Sequence, residues 1–179
     1  MEIPIQETFQ RTIQGEGFFA GTPCDFIRTY GCPVGCWFCD TGYADGGKGI
    51  KKYSRKINDL VAETKSQLVV ISGGEPFIHK ELATLCNRLI HANKQVSIET
   101  SGSFEKYIPE SVWVTLSPKE HISPKFPVKE SFWERANEIK IVISKGNEVD
   151  FYRKKLKKFK GIIYLQPEFS ENVNNLDKI

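Results

Sequence analysis

Six short apolar, β-branched runs recur along the 179 residues, at Cys24 to Thr29, Leu68 to Ser72, Val96 to Thr100, Val112 to Leu116, Ile139 to Ser144 and Ile162 to Gln166. Runs of this length, bounded by turn residues, read as buried strands. Helical patterns fall between several of them. SRKINDLVAET opens with Ser54 as N-cap and sets Ile57, Leu60 and Val61 on one face, while His79 to Ala92 and Val149 to Phe159 form two further helices. Strands alternating with helices call for a mostly parallel sheet.

A closed barrel of eight strand and helix units takes about 250 residues. The shorter chain is therefore expected to be α/β, a partial, splayed TIM-like barrel of about six parallel strands in one domain over residues 1–179. Hydrophobic residues make up 40% and charged residues 26%, with a formal charge of +3. No 18-residue apolar run or signal-peptide core interrupts this composition, so a cytoplasmic protein is expected, with no membrane contact. The basic run RKKLKKFK, Arg153 to Lys160, is read as a solvated helix face rather than an RNA-binding one, since no aromatic pattern accompanies it.

Polar motifs follow the strands at comparable places. CPVGCWFC follows the first, SGGEP the second, ETSG the third, SPK the fourth and QP the sixth. In a parallel sheet these ends share one edge, so the groups converge on one cleft. Cys32, Cys36 and Cys39 supply three soft thiolates where a closed zinc or iron-sulfur centre needs four. Cys-x2-Cys alone also fits half a zinc knuckle or a redox pair. Of the other two cysteines, Cys86 reads as a packed helix residue and Cys24 as packed or as a fourth ligand. His79 reads as helix surface or cap and His91 as a helix end, and His121 stays open as a contact in the cleft.

The cysteine spacing resembles that of the radical SAM superfamily, which implies a [4Fe-4S] cluster whose open iron chelates S-adenosyl-L-methionine (SAM). The stretch ETFQRTIQGEGFFAGTPCDFIRTYGCPVGCWFCDT, with GGEP, ETSG, SPK and LQP behind it, is similar to the 7-carboxy-7-deazaguanine synthases over nearly the whole chain. The resemblance implies Phe38, Gly73, Gly74, Glu75, Ser101, Ser117, Lys119 and Gln166 around SAM. It also implies Gln14, Gly15, Glu16 and Arg28 around a 6-carboxy-5,6,7,8-tetrahydropterin, and Mg2+ at Thr41 with help from Asp40. Pro33, Val34, Trp37 and Phe38 are expected to wrap the cluster in apolar surface.

The implied reaction begins with hydrogen abstraction from pterin C6 by a deoxyadenosyl radical. Ring contraction, return of the hydrogen to regenerate SAM, and loss of ammonia follow. A flavodoxin-like or other one-electron donor and a homodimer are further implications, and no direct nucleic-acid partner is expected. Relatives carry a later histidine over the substrate, whereas Glu168, Phe169 and Ser170 follow QP here and Asp177, Lys178 and Ile179 form a polar tail. Cover from a dimer partner or the tail backbone is expected instead. The rival readings are a glycyl-radical activating enzyme, which leaves Glu16 and Arg28 without tasks, and a zinc-stabilised RNA module, which predicts salt-dependent RNA affinity.

Overall fold

A computed structural model describes residues 1–170 and 173–174. Asp177, Lys178 and Ile179, with the expected tail cover, lie outside the described residues. The strands are β1 (Glu2–Ile13), β2 (Pro23–Thr29), β3 (Tyr53–Lys56), β4 (Leu68–Gly73), β5 (Gln95–Thr100), β6 (Trp113–Leu116), β7 (Glu138–Ile143) and β8 (Ile162–Pro167). They form one sheet in the order β3-β1-β2-β4-β5-β6-β7-β8. The run from β2 and β4 to β8 is parallel throughout, which gives the six strands expected of an open barrel. A separate two-stranded hairpin joins β9 (Phe169–Ser170) to β10 (Val173–Asn174).

Two strands of this sheet lie outside the sequence reading. β1 runs antiparallel to both β2 and β3 and widens the sheet on one side. Its sequence EIPIQETFQRTI buries Ile3 and Ile5 but mixes in polar residues, and the pairing with β2 shifts register twice. β3, YSRK, is an edge strand with no apolar run at all. Half-exposed strands lack the continuous apolar signature of buried parallel ones.

The helices are α1 (Ile57–Glu63), α2 (Leu82–His91), α3 (Glu130–Arg135) and α4 (Glu148–Leu156). Ser54 is not the N-cap of α1. It lies in β3, where its Oγ donates to Glu2 at 2.6 Å, and Lys56 takes the cap position without a side-chain bond. The α2 pattern begins later than expected because Pro76 to Ile78 form a separate 3-10 turn, with Glu75 capping it from its side chain. No helix among the described residues is long and apolar enough to cross a membrane.

Strand alternation divides the sheet into two faces. On one, Ile27, Val69, Ile71, Ile98, Val114, Leu116, Ile139 and Ile141 pack with Leu60, Leu82, Leu85, Leu89, Phe132 and Tyr152 of the helices in one continuous core. The opposite face is only partly apolar: Cys24, Leu68 and Val70 meet Phe19, with Phe26 and Trp113 against them. Beyond this small cluster the register aligns Arg28 with Ser72, and Glu99 with Thr115 and then Glu138. Polar groups therefore share the face that the helices leave uncovered.

Candidate functional site

The β2 strand delivers the chain into the loop of the three cysteines, and a web of hydrogen bonds holds that loop. The Gly31 N–H donates to the Tyr43 hydroxyl at 2.8 Å, the Tyr43 hydroxyl donates to Gln6 at 3.1 Å, and the Tyr43 N–H donates to Cys39 Sγ at 3.4 Å. The Ser123 hydroxyl, from the loop beyond β6, donates to the Val34 carbonyl at 2.8 Å. Beneath it, Gly74 N–H donates to Thr29 O at 2.9 Å and Glu75 N–H to Gly31 O at 2.8 Å. A Cβ on Gly73 would lie 2.4 Å from the Thr29 backbone, so the paired glycines let the β4 turn pack directly on the cysteine loop.

Cys36 is buried, and Cys32 and Cys39 are half-buried. Burial pushes the Cys32 thiol up to about 11, opposed by N–H groups of Val34 and Gly35, and raises Cys36, opposed by the Lys119 charge. Metal binding displaces such protons. Among the described residues no three Cys, His, Asp or Glu side chains converge on a single ion. A cubane asks for something else, one thiolate on each of three irons, and three soft donors on one pinned loop fit that demand. Val34 is buried and Phe38 half-buried, whereas Pro33 and Trp37 are exposed, so apolar cover from this loop rests on the former pair. Thr41 Oγ1 donates to Asp40 Oδ1 at 3.1 Å at the exposed rim.

Glu75 is 1% exposed and saturated. Its carboxylate accepts from Phe77 N–H at 3.1 Å, Thr100 Oγ1 at 2.7 Å, Ser101 N–H at 2.8 Å and Ser101 Oγ at 2.5 Å. One side chain thus clamps the ETSG turn to the GGEP turn. The Lys119 ammonium donates to the Ser117 carbonyl at 2.8 Å and to its hydroxyl at 2.5 Å. Burial lowers this amine to about 8; Cys36, Glu75 and Glu99 pull it upward and Lys140 downward. Lys119 is thus fastened to the end of β6 through Ser117, and its charge interacts with those of Cys36, Glu75, Glu99 and Lys140.

That second cluster is built by the QGEG loop between β1 and β2. Gln14 donates to Glu99 Oε1 at 3.1 Å, and the Gln14 side-chain oxygen accepts the Glu16 N–H at 3.2 Å. Glu16 accepts from the Lys140 ammonium and, at 2.6 Å, from Gln166 Nε2. Gly15 has open space around it. The next residues are tied to β7 as well, since Phe18 N–H donates to Glu138 Oε2 at 2.8 Å and the Phe18 ring stacks on Trp113 at 4.7 Å. Gln166, expected beside SAM, is thus placed on the QGEG side of the cleft.

Arg28 on β2 lies 3.6 Å from Glu7 and 5.4 Å over the Phe9 ring, and its Nε is buried without a partner. His79 is 8% exposed, not helix surface, because it caps the 3-10 turn rather than opening α2. His91 ends α2 as expected. His121 Nδ1 pairs with the Tyr152 hydroxyl at 2.7 Å. Cys24 and Cys86 are fully buried. Glu99, Glu138 and Lys140 were absent from the expected site, although Glu138 and Lys140 alternate in EIKIVI and charges at that spacing mark a polar strand face. A surface recess of about 500 Å³ bounded by β1, β3 and Ile50 contains none of the expected site residues.

Known proteins resemble this chain over most of its length. The radical SAM superfamily model matches residues 26–117. The chain is 35% identical over 173 residues to the 7-carboxy-7-deazaguanine synthase of Escherichia coli K12, covering 84% of this chain and 76% of that protein. It is 36% identical over 202 residues to the same enzyme of Buchnera aphidicola subsp. Schizaphis graminum, covering 99% and 89%. The crystal structure of QueE from Escherichia coli superposes with a TM-score of 0.82 at 33% identity, over 97% of this chain and 86% of that one. The chain belongs to the radical SAM superfamily and, within it, to the 7-carboxy-7-deazaguanine synthase family.

Proposed function

We propose that the uncovered face of the sheet is where this chain, as one domain over residues 1–179, contracts the ring of 6-carboxy-5,6,7,8-tetrahydropterin. The chain is a radical SAM carbon-nitrogen lyase, and its product is 7-carboxy-7-deazaguanine with loss of ammonia. Membership of the family implies a [4Fe-4S] cluster and SAM, which when bound supply the radical that activates the substrate. The observation that carries the site assignment is the Glu75 carboxylate, which ties the ETSG turn to the GGEP turn packed on the cysteine loop, while Gln14 of the QGEG loop bonds Glu99 of the same ETSG turn. One cleft joins the thiolate loop to the QGEG network.

Within it, Cys32, Cys36 and Cys39 hold the cluster. Gly73, Gly74, Ser101, Ser117, Lys119 and Phe38 form the SAM side. Glu75 accepts four hydrogen bonds from within the protein, so it would hold the ETSG turn beside SAM and would meet the SAM ammonium only by giving up one of them. Gln14, Gly15, Glu16, Gln166 and Arg28 form the pterin side. Arg28 presents a planar fork suited to the substrate carboxylate. Thr41 and Asp40 offer hard oxygens to Mg2+ near that carboxylate. A homodimer is supported by β8, an edge strand on which Ile162, Ile163 and Leu165 are each about 40% exposed. A flavodoxin-like protein is proposed as electron donor.

The test is anaerobic turnover of iron-sulfur-reconstituted protein with SAM, dithionite, Mg2+ and the pterin, following the deazapurine by mass spectrometry. Many product molecules per enzyme with little SAM consumed are expected. SAM cleavage without deazapurine removes the substrate assignment. Mg2+-independent turnover with an unaffected Thr41→Ala variant removes the magnesium site.

A further inference from the structure

Lys140 is a charged residue buried within a strand whose other face is wholly apolar. It lies in β7 between Ile139 and Ile141, both fully buried, and is itself only 7% exposed. Burying an ammonium costs several kcal/mol before pairing, and a well-packed aliphatic side chain is often the more stable choice. The charge calls for a task beyond packing.

Its surroundings define that task. The ammonium is paired with Glu16, which belongs to a loop 124 residues away in sequence. Burial alone would lower the amine's pKa, but Glu99, Glu16 and Glu138 outweigh it and raise the group, so the lysine stays charged. Lys119 is the opposing cation on the same face, and Tyr164 is the register neighbour on β8. Glu16 by contrast is held by little else: its side chain is 42% exposed and sits between Gly15 and Gly17, the latter at φ +67°. Without Lys140, the Gln166 amide is the one side chain among the described residues left to orient it.

We propose that Lys140 is a positioning residue of the substrate pocket, holding the Glu16 carboxylate in its ligand-facing orientation and balancing the negative charge of Glu99. The proposal rests on the functional reading above, in which Glu16 meets the pterin. A carboxylate already fixed before the ligand arrives loses less conformational freedom on binding. The neighbouring Glu138 reinforces the arrangement, since it accepts the Phe18 N–H and fastens the far end of the same loop to the same strand. β7 therefore sets the loop through two alternate side chains, Glu138 for its backbone and Lys140 for its acid.

The test measures affinity rather than turnover. Pterin binding to the reconstituted holoenzyme with SAM present is followed by calorimetry for wild type, Lys140→Met, Lys140→Arg, Glu16→Gln and the Lys140→Met/Glu16→Gln double variant. Lys140→Met is expected to weaken the pterin about tenfold while SAM affinity changes less than about threefold, and Lys140→Arg to recover most of the loss. Because Lys140 acts through Glu16, the double variant should bind within about threefold of Glu16→Gln alone. Unchanged affinity in Lys140→Met, or losses that multiply in the double variant, overturns the proposal and leaves the functional reading standing. A wild-type holoenzyme that does not bind the pterin overturns both. If Lys140→Met does not fold, Lys140→Gln replaces it in the cycle, and thermal melts of each variant identify loss of fold separately from loss of binding.

Discussion

A Cβ on Gly74 would lie 1.9 Å from the carbonyl oxygen of Gly31, closer than any side chain can tolerate. All three atoms nearest that Cβ, Gly31 O, Gly31 C and Cys32 N, are backbone, so no rotamer change relieves the clash. Gly74→Ala must separate the β4 turn from the first residues of the cysteine loop. The expected cost is about 4 kcal/mol or more, in the range reserved for strain at special backbone positions. Iron incorporation should fall with it. Thermal unfolding and iron content per chain check both effects, and a variant with normal values would show that the two loops do not need to touch.

Glu75→Gln tests the clamp beneath SAM. Four donors meet the Glu75 carboxylate, two on each oxygen, so an amide NH2 faces one hydroxyl that can turn to accept it and one backbone N–H, of Phe77 or Ser101, that cannot. Leaving buried donors unpaired costs about 1–3 kcal/mol each, more where a charge was the partner. The ETSG turn should loosen from the GGEP turn, with a lowered melting temperature and SAM affinity reduced at least about tenfold. Equilibrium binding of SAM to the reconstituted variant measures the second effect directly.

The parallel half of the fold was legible because buried strands carry continuous apolar runs, and motifs at their ends must share an edge. What sequence reading missed has a common physical origin. The apolar run of β7 begins at Ile139, so Glu138 and Lys140 do not stand out from it as site residues, although charges two residues apart belong to a face no helix covers. β1 was missed because its polar residues and register shifts break the alternation. The resemblance sets Gly73 and Gly74 around SAM, and the structure adds a contact between two loops that no local pattern encodes. The QGEG motif was recognised, but its partners Lys140 and Gln166 lie 124 and 150 residues away, a separation only tertiary structure supplies.

Acid stability should depend on Glu148. This residue is 1% exposed at the start of α4, and its carboxylate accepts from Ser144 N–H at 3.0 Å, Ser144 Oγ at 2.8 Å, Lys145 N–H at 2.7 Å and Gly146 N–H at 2.8 Å. Burial raises the acid, but these donors prevail and lower it from 4.5 to about 2. A folded-state pKa below the unfolded one stabilises fully above the unfolded value and less as pH falls through the folded one. The shift corresponds to about 3 kcal/mol, lost between about pH 4.5 and pH 2. Glu148→Gln should lower the melting temperature at pH 7 and flatten its decline towards pH 3. Asp25, held low by Arg11, Ser66 and Lys65, leaves a residual acid limb in that variant.

Arg28→Lys separates the two sides of the cleft. The guanidinium is steadied by Glu7 at 3.6 Å and by the Phe9 ring, while its buried Nε has no hydrogen-bond partner among the described residues. A lysine keeps the charge but loses the planar fork and the stacking that holds it over the ring. Nothing in this contact set touches Glu75, Ser117 or Lys119, so the SAM side should remain intact. Uncoupled SAM cleavage without pterin is therefore expected to stay within about twofold of wild type, while kcat/KM for the pterin falls about tenfold or more, the size of a lost charge-assisted pair. Equal losses in both assays would move Arg28 from the substrate side to the general integrity of β1 and β2. Unchanged turnover would exclude any role for it in holding the substrate carboxylate.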